Sequence, residues 1–257
     1  MEKNLLIAGK ELPAGTDFAS GASFQGRKTM ITKETAEDLE ITPPNDVKCL
    51  SWNRSSALSA RTMVLSSLNE FGNIDEAVLF FDETWLASKY GETLNPSESI
   101  KVLEELIASY QYLTMELISR ITKKNIYAAD NSAAEKSKKT VKLIFLYKSN
   151  PSECDGITSS SARAANNLSS PLVAAAANAF KAYAENIAAS LVNNTEITPV
   201  LVSCEPSNDL ATKDSALAVW LCEYIDQIDQ LKKGLSPKQK VAWVKAGAKS
   251  PGGFSFF

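Results

Sequence analysis

The sequence predicts an α/β fold, a parallel sheet doubly wound with helices on both faces, and three observations lead there. Apolar runs of strand length alternate with longer segments of helical period, the pattern of successive βαβ units. One run, 77–81, is apolar at every position, as a central strand buried on both faces must be. The 257 residues, 44% of them apolar and 22% charged, suit a single domain (1–257) with a substantial core.

The elements follow in order. Residues 5–8 are four consecutive apolar side chains and read as the first buried strand; 29–32 and 47–51 read as the second and third. The segment 56–71 places Leu58, Met63, Val64, Leu65 and Leu68 on one broad helical face. After the strand at 77–81, Pro96 and Ser97 give a start signal for a long helix over 97–124, with Ile100, Leu103, Leu106, Ile107, Tyr110, Leu113, Leu117 and Ile121 at helical spacing. Residues 141–147 form a fifth strand and 199–203 a sixth. Between them lies an alanine-rich helix over 172–192. A helix over 214–232 carries Leu217, Trp220, Leu221, Tyr224 and Ile228 on one side; Gly234 ends it, and Ser236-Pro237 starts a last short helix to about 246. Two polar insertions, near 128–140 and 149–170, read as surface excursions or as loops that bind a substrate or partner.

Composition excludes several functions. The net charge of −3 argues against a general nucleic-acid binder, and the short lysine runs at Lys123–Lys124 and Lys136, Lys138 and Lys139 read as solvated faces. The chain contains no histidine, and Cys49, Cys154, Cys204 and Cys222 form no CxxC pair, so no metal site is expected. Spaced free cysteines fit a reducing cytoplasm. The five-residue apolar run that begins at Leu5 is too short for a signal peptide, and no stretch approaches the length of a membrane span. A serine hydrolase is excluded by the lack of both GxSxG and a histidine base.

Four stretches, in the right order, resemble the short-chain dehydrogenase/reductase family, a Rossmann-like fold. The family's opening strand–TGxxxGxG–helix is similar to Ala8-Gly9-Lys10-Glu11-Leu12-Pro13-Ala14-Gly15, with the first and last glycines in place. Phe71-Gly72-Asn73-Ile74-Asp75 resembles the approach to the family's fourth strand, which here ends Leu79-Phe80-Phe81-Asp82 instead of NNAG. The strand before the catalytic serine is similar to residues 143–149, ending in Lys148 and Ser149. The active-site and oligomerisation helix resembles residues 179–191.

What the resemblance implies for the site is mostly loss. The catalytic Tyr and Lys positions fall on Val173 and Ala177, and the catalytic Asn near Leu106. Ser149 is the remaining candidate catalytic residue. Gly9, Gly15 and Lys33 are the candidate cofactor-binding residues. Valine and alanine cannot supply the phenol and the ammonium that lowers its pKa. Pro13 removes an N–H from the phosphate turn. Lys33 stands at the end of the second strand, where the family's NAD-selecting Asp would be. It is read either as a surface lysine or as a partner for a 2′-phosphate, which would make NADP the dinucleotide if any binds. Phe80 and Phe81 are expected to fill the space a cofactor would leave.

Two functions therefore stand. One is a degenerate member of the fold, without dehydrogenase activity or cofactor, serving as a binding or assembly module. The other is a divergent NADP(H)-dependent oxidoreductase acting on a small carbonyl or alcohol. The resemblance also implies a homodimer or homotetramer through the helices at 97–124 and 172–192, and a protein partner is open. The three phenylalanines among residues 254–257 read as an edge strand or as a segment docked on a neighbour.

Overall fold

The structure, a computed structural model, describes residues 2–33, 43, 46–90, 96–128, 140–150 and 171–251. Its strands are β1 (Lys3–Leu12), β2 (Arg27–Lys33), β3 (Val47–Ser51), β4 (Glu76–Asp82), β5 (Val141–Lys148), β6 (Ile197–Cys204) and β7 (Trp243–Lys245). All pair in parallel, in the order β3-β2-β1-β4-β5-β6-β7. The order reverses between β1 and β4, so the two halves of the chain wind outward from that seam. Crevices for ligands form at such a switch point, beyond the carboxyl ends of the strands.

The helices are α1 (Thr16–Phe24), α2 (Ala57–Phe71), α3 (Glu83–Tyr90), α4 (Pro96–Leu103), α5 (Ser109–Ala128), α6 (Pro171–Ser190), α7 (Asp214–Gln230) and α8 (Pro237–Lys240). Helices α1 and α7 cover one face of the sheet, with Phe18, Ala22, Leu217 and Leu221 against Ile7, Val78 and Ile144. Helices α2, α5 and α6 cover the other, with Met63, Leu113 and Phe180 against Leu6, Leu79 and Phe145. Alternation along β4 explains its uniformly apolar sequence: Val78 and Phe80 enter the first layer, Ala77, Leu79 and Phe81 the second.

An ion cluster ties α7 to the amino ends of the strands. Lys3 reaches Glu76, Asp226 and Asp229; Arg27 reaches Glu76 and Asp226; Lys142 reaches Asp229. Burial works against the charged forms of Asp226 and Asp229, yet hydrogen bonds from Arg27, Lys3 and Lys142 hold both carboxyls below the usual range.

The sequence reading needs four adjustments. The helix expected from Ser236 to about 246 stops at Lys240, because Trp243, Val244 and Lys245 pair with Leu201, Val202 and Ser203 as a seventh strand. β1 runs past Gly9 to Leu12, since Leu12 returns to pair with Lys33 across a register shift. Helix α3 was hidden by its weak amphipathicity, and the helix at α1 was implied by the resemblance alone. The long helix is broken at Glu104–Ala108 by a π-helical turn. The polar insertions lie almost wholly outside the described residues, as do Cys154 and residues 252–257.

Candidate switch-point site

Three groups of side chains converge at the carboxyl ends of β1, β4 and β5. The first is centred on Arg54, carried by the turn between β3 and α2. That turn is fixed by Ser56, whose hydroxyl accepts the Ser59 N–H and caps α2. Arg54 Nε donates to Glu11 Oε1 at 2.7 Å, Nη1 to the Glu105 carbonyl at 3.0 Å, and Nη2 to the Gly9 carbonyl. Its guanidinium lies 5.1, 5.9 and 5.4 Å from the ring centres of Trp52, Trp85 and Tyr110. With its side chain 4% exposed and Glu11 at 1%, this is a buried, aromatic-walled ion pair.

Tyr110 closes the same space from α5. Its hydroxyl donates to the Phe80 carbonyl at 2.8 Å, and burial pushes its pKa up to about 12. It stands so close to Gly9 that a Cβ there would be 2.6 Å from the phenol oxygen and would collide with the Phe80 carbonyl. Gly9 has φ +107°, a conformation that also favours glycine.

The second group is a ring of four charges. Lys10 Nζ lies 2.5 Å from Asp82 Oδ2 and also contacts Asp214; Lys148 Nζ lies 2.7 Å from Asp214 Oδ1 and 3.7 Å from Asp82 Oδ2. Asp82 ends β4 and Asp214 opens α7, so the ring joins β1, β4, β5 and α7. Burial opposes ionisation of Asp214, but the Lys10 and Lys148 ammonium groups outweigh it and hold the carboxyl low. Burial likewise opposes the charge on Lys148, and Asp82 and Asp214 raise its pKa nonetheless. The Cys204 thiol beside them is pushed up to about 11 by burial, so it carries no thiolate at neutral pH.

The third group is Glu83, Tyr147 and Asn150. Glu83 Oε2 accepts from the Tyr147 hydroxyl at 2.6 Å and from the Asn150 N–H at 3.1 Å. Lys181 Nζ sits 5.0 Å above the Tyr147 ring centre, on its face and not at its hydroxyl. Burial and the Glu83 carboxylate both drive the Tyr147 pKa upward. That is opposite to the shift a general-base phenol requires.

The sequence-derived candidates fall around this assembly. Gly9 lies inside it, with its carbonyl taken by Arg54. Gly15 caps α1, where a Cβ would strike the Lys10 carbonyl and stand 2.6 Å from Ile31 Cδ1. Both glycines are thus required by the protein's own packing. Ser149 lies beside the ring and turns to β6, its N–H and hydroxyl donating to the Cys204 carbonyl at 3.1 and 3.4 Å. Lys33 ends β2, its carbonyl accepting the Trp52 N–H at 2.9 Å. Val173 and Ala177 are buried on α6 in the apolar cluster that contains Phe81, and Leu106 is buried at the centre of the π turn. Phe80 and Phe81 are buried as well, within the two helix–sheet layers just before the carboxyl end of β4, Phe80 against Phe18 and Phe81 against Tyr110 and Phe180. Phe80 and Phe81 form the apolar backing of the crevice, with Lys10 Nζ 5.3 Å from the Phe80 ring centre and Tyr110 against Phe81, while Arg54, Tyr110 and Lys10 occupy it directly. Sequence reasoning missed these three, together with Asp82 and Asp214. One signal was available, since Lys10, Asp82 and Lys148 each stand just beyond an apolar strand run, at the same edge of a parallel sheet.

A dinucleotide on this fold lays its pyrophosphate on the glycine turn after β1, where backbone groups approach it closely. Here the Gly9 carbonyl is bonded to Arg54, the space over its Cα holds the Tyr110 hydroxyl, and Lys10 is drawn to two carboxylates. In this arrangement the residues present do not fit that group.

The class defined by this strand order and winding is the α/β Rossmann-like fold of short-chain dehydrogenases. Solved structures bear this out. The chain superposes on a 3-ketoacyl-(acyl-carrier-protein) reductase from Brucella melitensis complexed with NADH, with a TM-score of 0.54 and 14% identity over 95% of this chain and 96% of that one. It superposes on a short chain dehydrogenase from Mycobacterium smegmatis at 0.53, with 12% identity over 96% and 92% of the two chains. An actinorhodin polyketide ketoreductase with NADPH gives 0.50, with 10% identity over 79% and 69%. No family model matches the sequence, and comparison with curated proteins returns no match.

Proposed function

We propose that this chain is a divergent short-chain dehydrogenase-fold protein without dehydrogenase activity, acting as a binding or assembly module. The observation that carries this reading is the crevice itself, closed at the switch point by Arg54–Glu11, by Tyr110 over Gly9, and by the ring of Lys10, Lys148, Asp82 and Asp214. Val173 and Ala177 at the catalytic positions, and the raised pKa of Tyr147, support it. The test is titration of the pure protein with NADPH and NADH, following nucleotide fluorescence and thermal stability together. The expected result is no shift up to millimolar nucleotide. A micromolar ligand would instead stabilise by about 2.7 kcal/mol at a hundredfold excess over its dissociation constant.

A second reading, an NADP(H)-dependent oxidoreductase of a small carbonyl or alcohol, has its own support. Solved proteins with this fold carry NADH or NADPH. Gly9, Gly15 and Ser149 are retained, and Lys33 stands at the end of β2, where a 2′-phosphate would be met. A clear NADPH shift in the same titration would favour this reading, with the charged ring opening to admit the ligand.

Self-association through α4, α5 and α6 belongs to the first reading. Ile100 and Met115 are 63% and 57% exposed, and the outer face of α6 carries Ala175, Ala182 and Ala189 between Asn178, Glu185 and Asn186. Sedimentation of the wild type beside Met115→Glu tests it, the expected result being a dimer or tetramer that the variant weakens. No described helix is long and apolar enough to cross a membrane. The free, buried thiols of Cys204 and Cys222 support a reducing, cytoplasmic setting.

A further inference from the structure

The apolar pattern of α4 and α5 explains why the helix is interrupted between them. Val102, Leu106 and Tyr110 are 6%, 0% and 1% exposed and belong to the same buried cluster as Leu113 and Leu117. Tyr110 lies eight positions after Val102. At about 100° per residue, an unbroken α-helix would set these two side chains about 80° apart around its axis. The π turn at Glu104–Ala108 winds more widely and absorbs about one extra residue, so both face the core.

That winding displaces one backbone acceptor. The Ser109 N–H donates to the Glu104 carbonyl, whereas an α-helix would send it to Glu105. The Glu105 carbonyl accepts instead from the Ser109 hydroxyl at 2.6 Å and from Arg54 Nη1 at 3.0 Å. Arg54 is the donor that comes from outside the helix, and the same guanidinium holds Glu11 and the Gly9 carbonyl. One planar fork therefore joins the crevice to the π turn. The Glu105 side chain is tied to the same surroundings, Oε2 accepting from the Tyr90 hydroxyl at 2.5 Å and Oε1 from Ser55 Oγ at 3.5 Å. Of the two helices that meet at the turn, α5 is anchored by Leu113, Leu117 and Ile121. Helix α4 has eight residues; its Ile100 and Leu103 are 63% and 36% exposed, and Val102 is its buried anchor. It is the element free to turn.

We propose that Arg54 is a clamp that holds the π turn and thereby fixes which face α4 presents to the core. When the clamp lets go, the Ser109 N–H returns to the Glu105 carbonyl, the helix regains α winding, and α4 turns by about 80°, carrying Val102 toward solvent. The residue that closes the crevice thus also sets the outer surface of the helix layer. The test is the rate at which iodoacetamide labels the thiol introduced by Val102→Cys, read by mass spectrometry with and without Arg54→Lys. Lysine keeps the charge beside Glu11 but offers no second nitrogen for the Glu105 carbonyl. Expected is labelling about tenfold faster with Arg54→Lys, unchanged far-ultraviolet circular dichroism, and an unchanged rate at Cys222, which is 3% exposed on α7 and reports general loosening. Labelling that stays within about threefold would overturn the clamp, as would an acceleration that Cys222 shares. Ser109→Ala is the milder companion, since it removes the hydroxyl donor and leaves Arg54 in place. It should keep the rate within about threefold; a larger acceleration would assign the hold to Ser109 and overturn the proposal by itself. All rates are taken without nucleotide, so binding of NADPH would bear on the proposed function and leave this result standing.

Discussion

Replacement of Lys10 by methionine separates a closed crevice from an open one. In the structure Lys10 is held between Asp82 and Asp214, whose side chains are 2% and 9% exposed, and the ring of two lysines and two aspartates is neutral as a whole. Methionine has a similar reach and no charge, so the variant leaves one net negative charge in a buried setting. Removing one partner of a buried ion pair costs about 3–5 kcal/mol. Lys148, already within 2.7 Å of Asp214 and 3.7 Å of Asp82, compensates in part, which puts the expectation near the lower end, about 3 kcal/mol. For a chain of this size that is a fall in Tm of about 6–12 °C. Urea denaturation followed by circular dichroism, with a thermal melt alongside, measures it. Combining Lys10→Met with Asp214→Asn should recover about 1–3 kcal/mol relative to additivity, because the second change removes the charge that the first left unpaired. A lysine waiting in an open, hydrated crevice behaves differently: its ion pairs are worth about 0–1 kcal/mol. A loss below about 1 kcal/mol for Lys10→Met, with strict additivity in the double variant, would refute the closed crevice.

Three further outcomes follow from the same geometry. Asp214, Asp226 and Asp229 are held below their ordinary carboxyl range, so their stabilisation is fully present above about pH 4, the unfolded value, and is lost as pH falls through their lower folded values; an acid titration of circular dichroism should show a steep loss there, shallower in Asp226→Asn. Gly9→Ala combines a positive φ, costing about 1–2 kcal/mol, with overpacking of about 1–3 kcal/mol; Tyr110→Phe should not rescue it in a urea melt, because the Phe80 carbonyl still blocks the new methyl. Phe81→Ala, at the junction of Tyr110, Tyr147 and Phe180, should cost about 3–5 kcal/mol in the same assay, whereas a ring lying in a solvent-filled crevice would cost far less.

The fold was legible because its signals are local and redundant. β4 announces itself by five apolar residues in a row, and the layers on both faces need that pattern. α7 was legible from Leu217, Leu221, Tyr224 and Ile228 at helical spacing, and all four are buried. The site was less legible because it depends on register between distant strands. Nothing local to Lys10 says that Asp82 and Asp214 will meet it, since the partners are 72 and 204 positions away. Arg54 was missed for the same reason: it follows a short half-buried strand, and only the fold brings Glu11, Gly9, Trp85 and Tyr110 around it. Gly9 and Gly15 were found, but for a reason the structure changes. Their spacing fits a phosphate turn, and the atoms that crowd them belong to Tyr110, Phe80, Lys10 and Ile31. Trp243 shows the opposite failure, where the Ser236-Pro237 start signal read as helix to about 246 and pairing with β6 made Trp243–Lys245 strand.

The ring and the Arg54 pair also set a scale for how strongly any anion must bind to enter. A site with intrinsic micromolar affinity supplies about −8.2 kcal/mol. To reach the Gly9 turn, a pyrophosphate must take Lys10 from Asp214 or Arg54 from the Gly9 carbonyl. Separating the buried Lys10–Asp214 pair costs about 3–5 kcal/mol, unless the anion takes over the cation fully and the stranded carboxylate gains a proton or water. With that cost uncompensated, about −4 kcal/mol remains, which corresponds to a dissociation constant near 1 mM. Asp214 is the member of the ring best placed to yield, because it sits at the first turn of α7 beside the exposed Lys213 and not inside a strand. Asp82, at the end of the central β4 and accepting the Trp85 N–H at 3.1 Å, is fixed from two sides. An Asp214→Asn variant that gained nucleotide affinity would therefore locate the barrier in the charged ring. One that stayed blind to nucleotide would leave Arg54 and Tyr110 as the groups that shut the crevice.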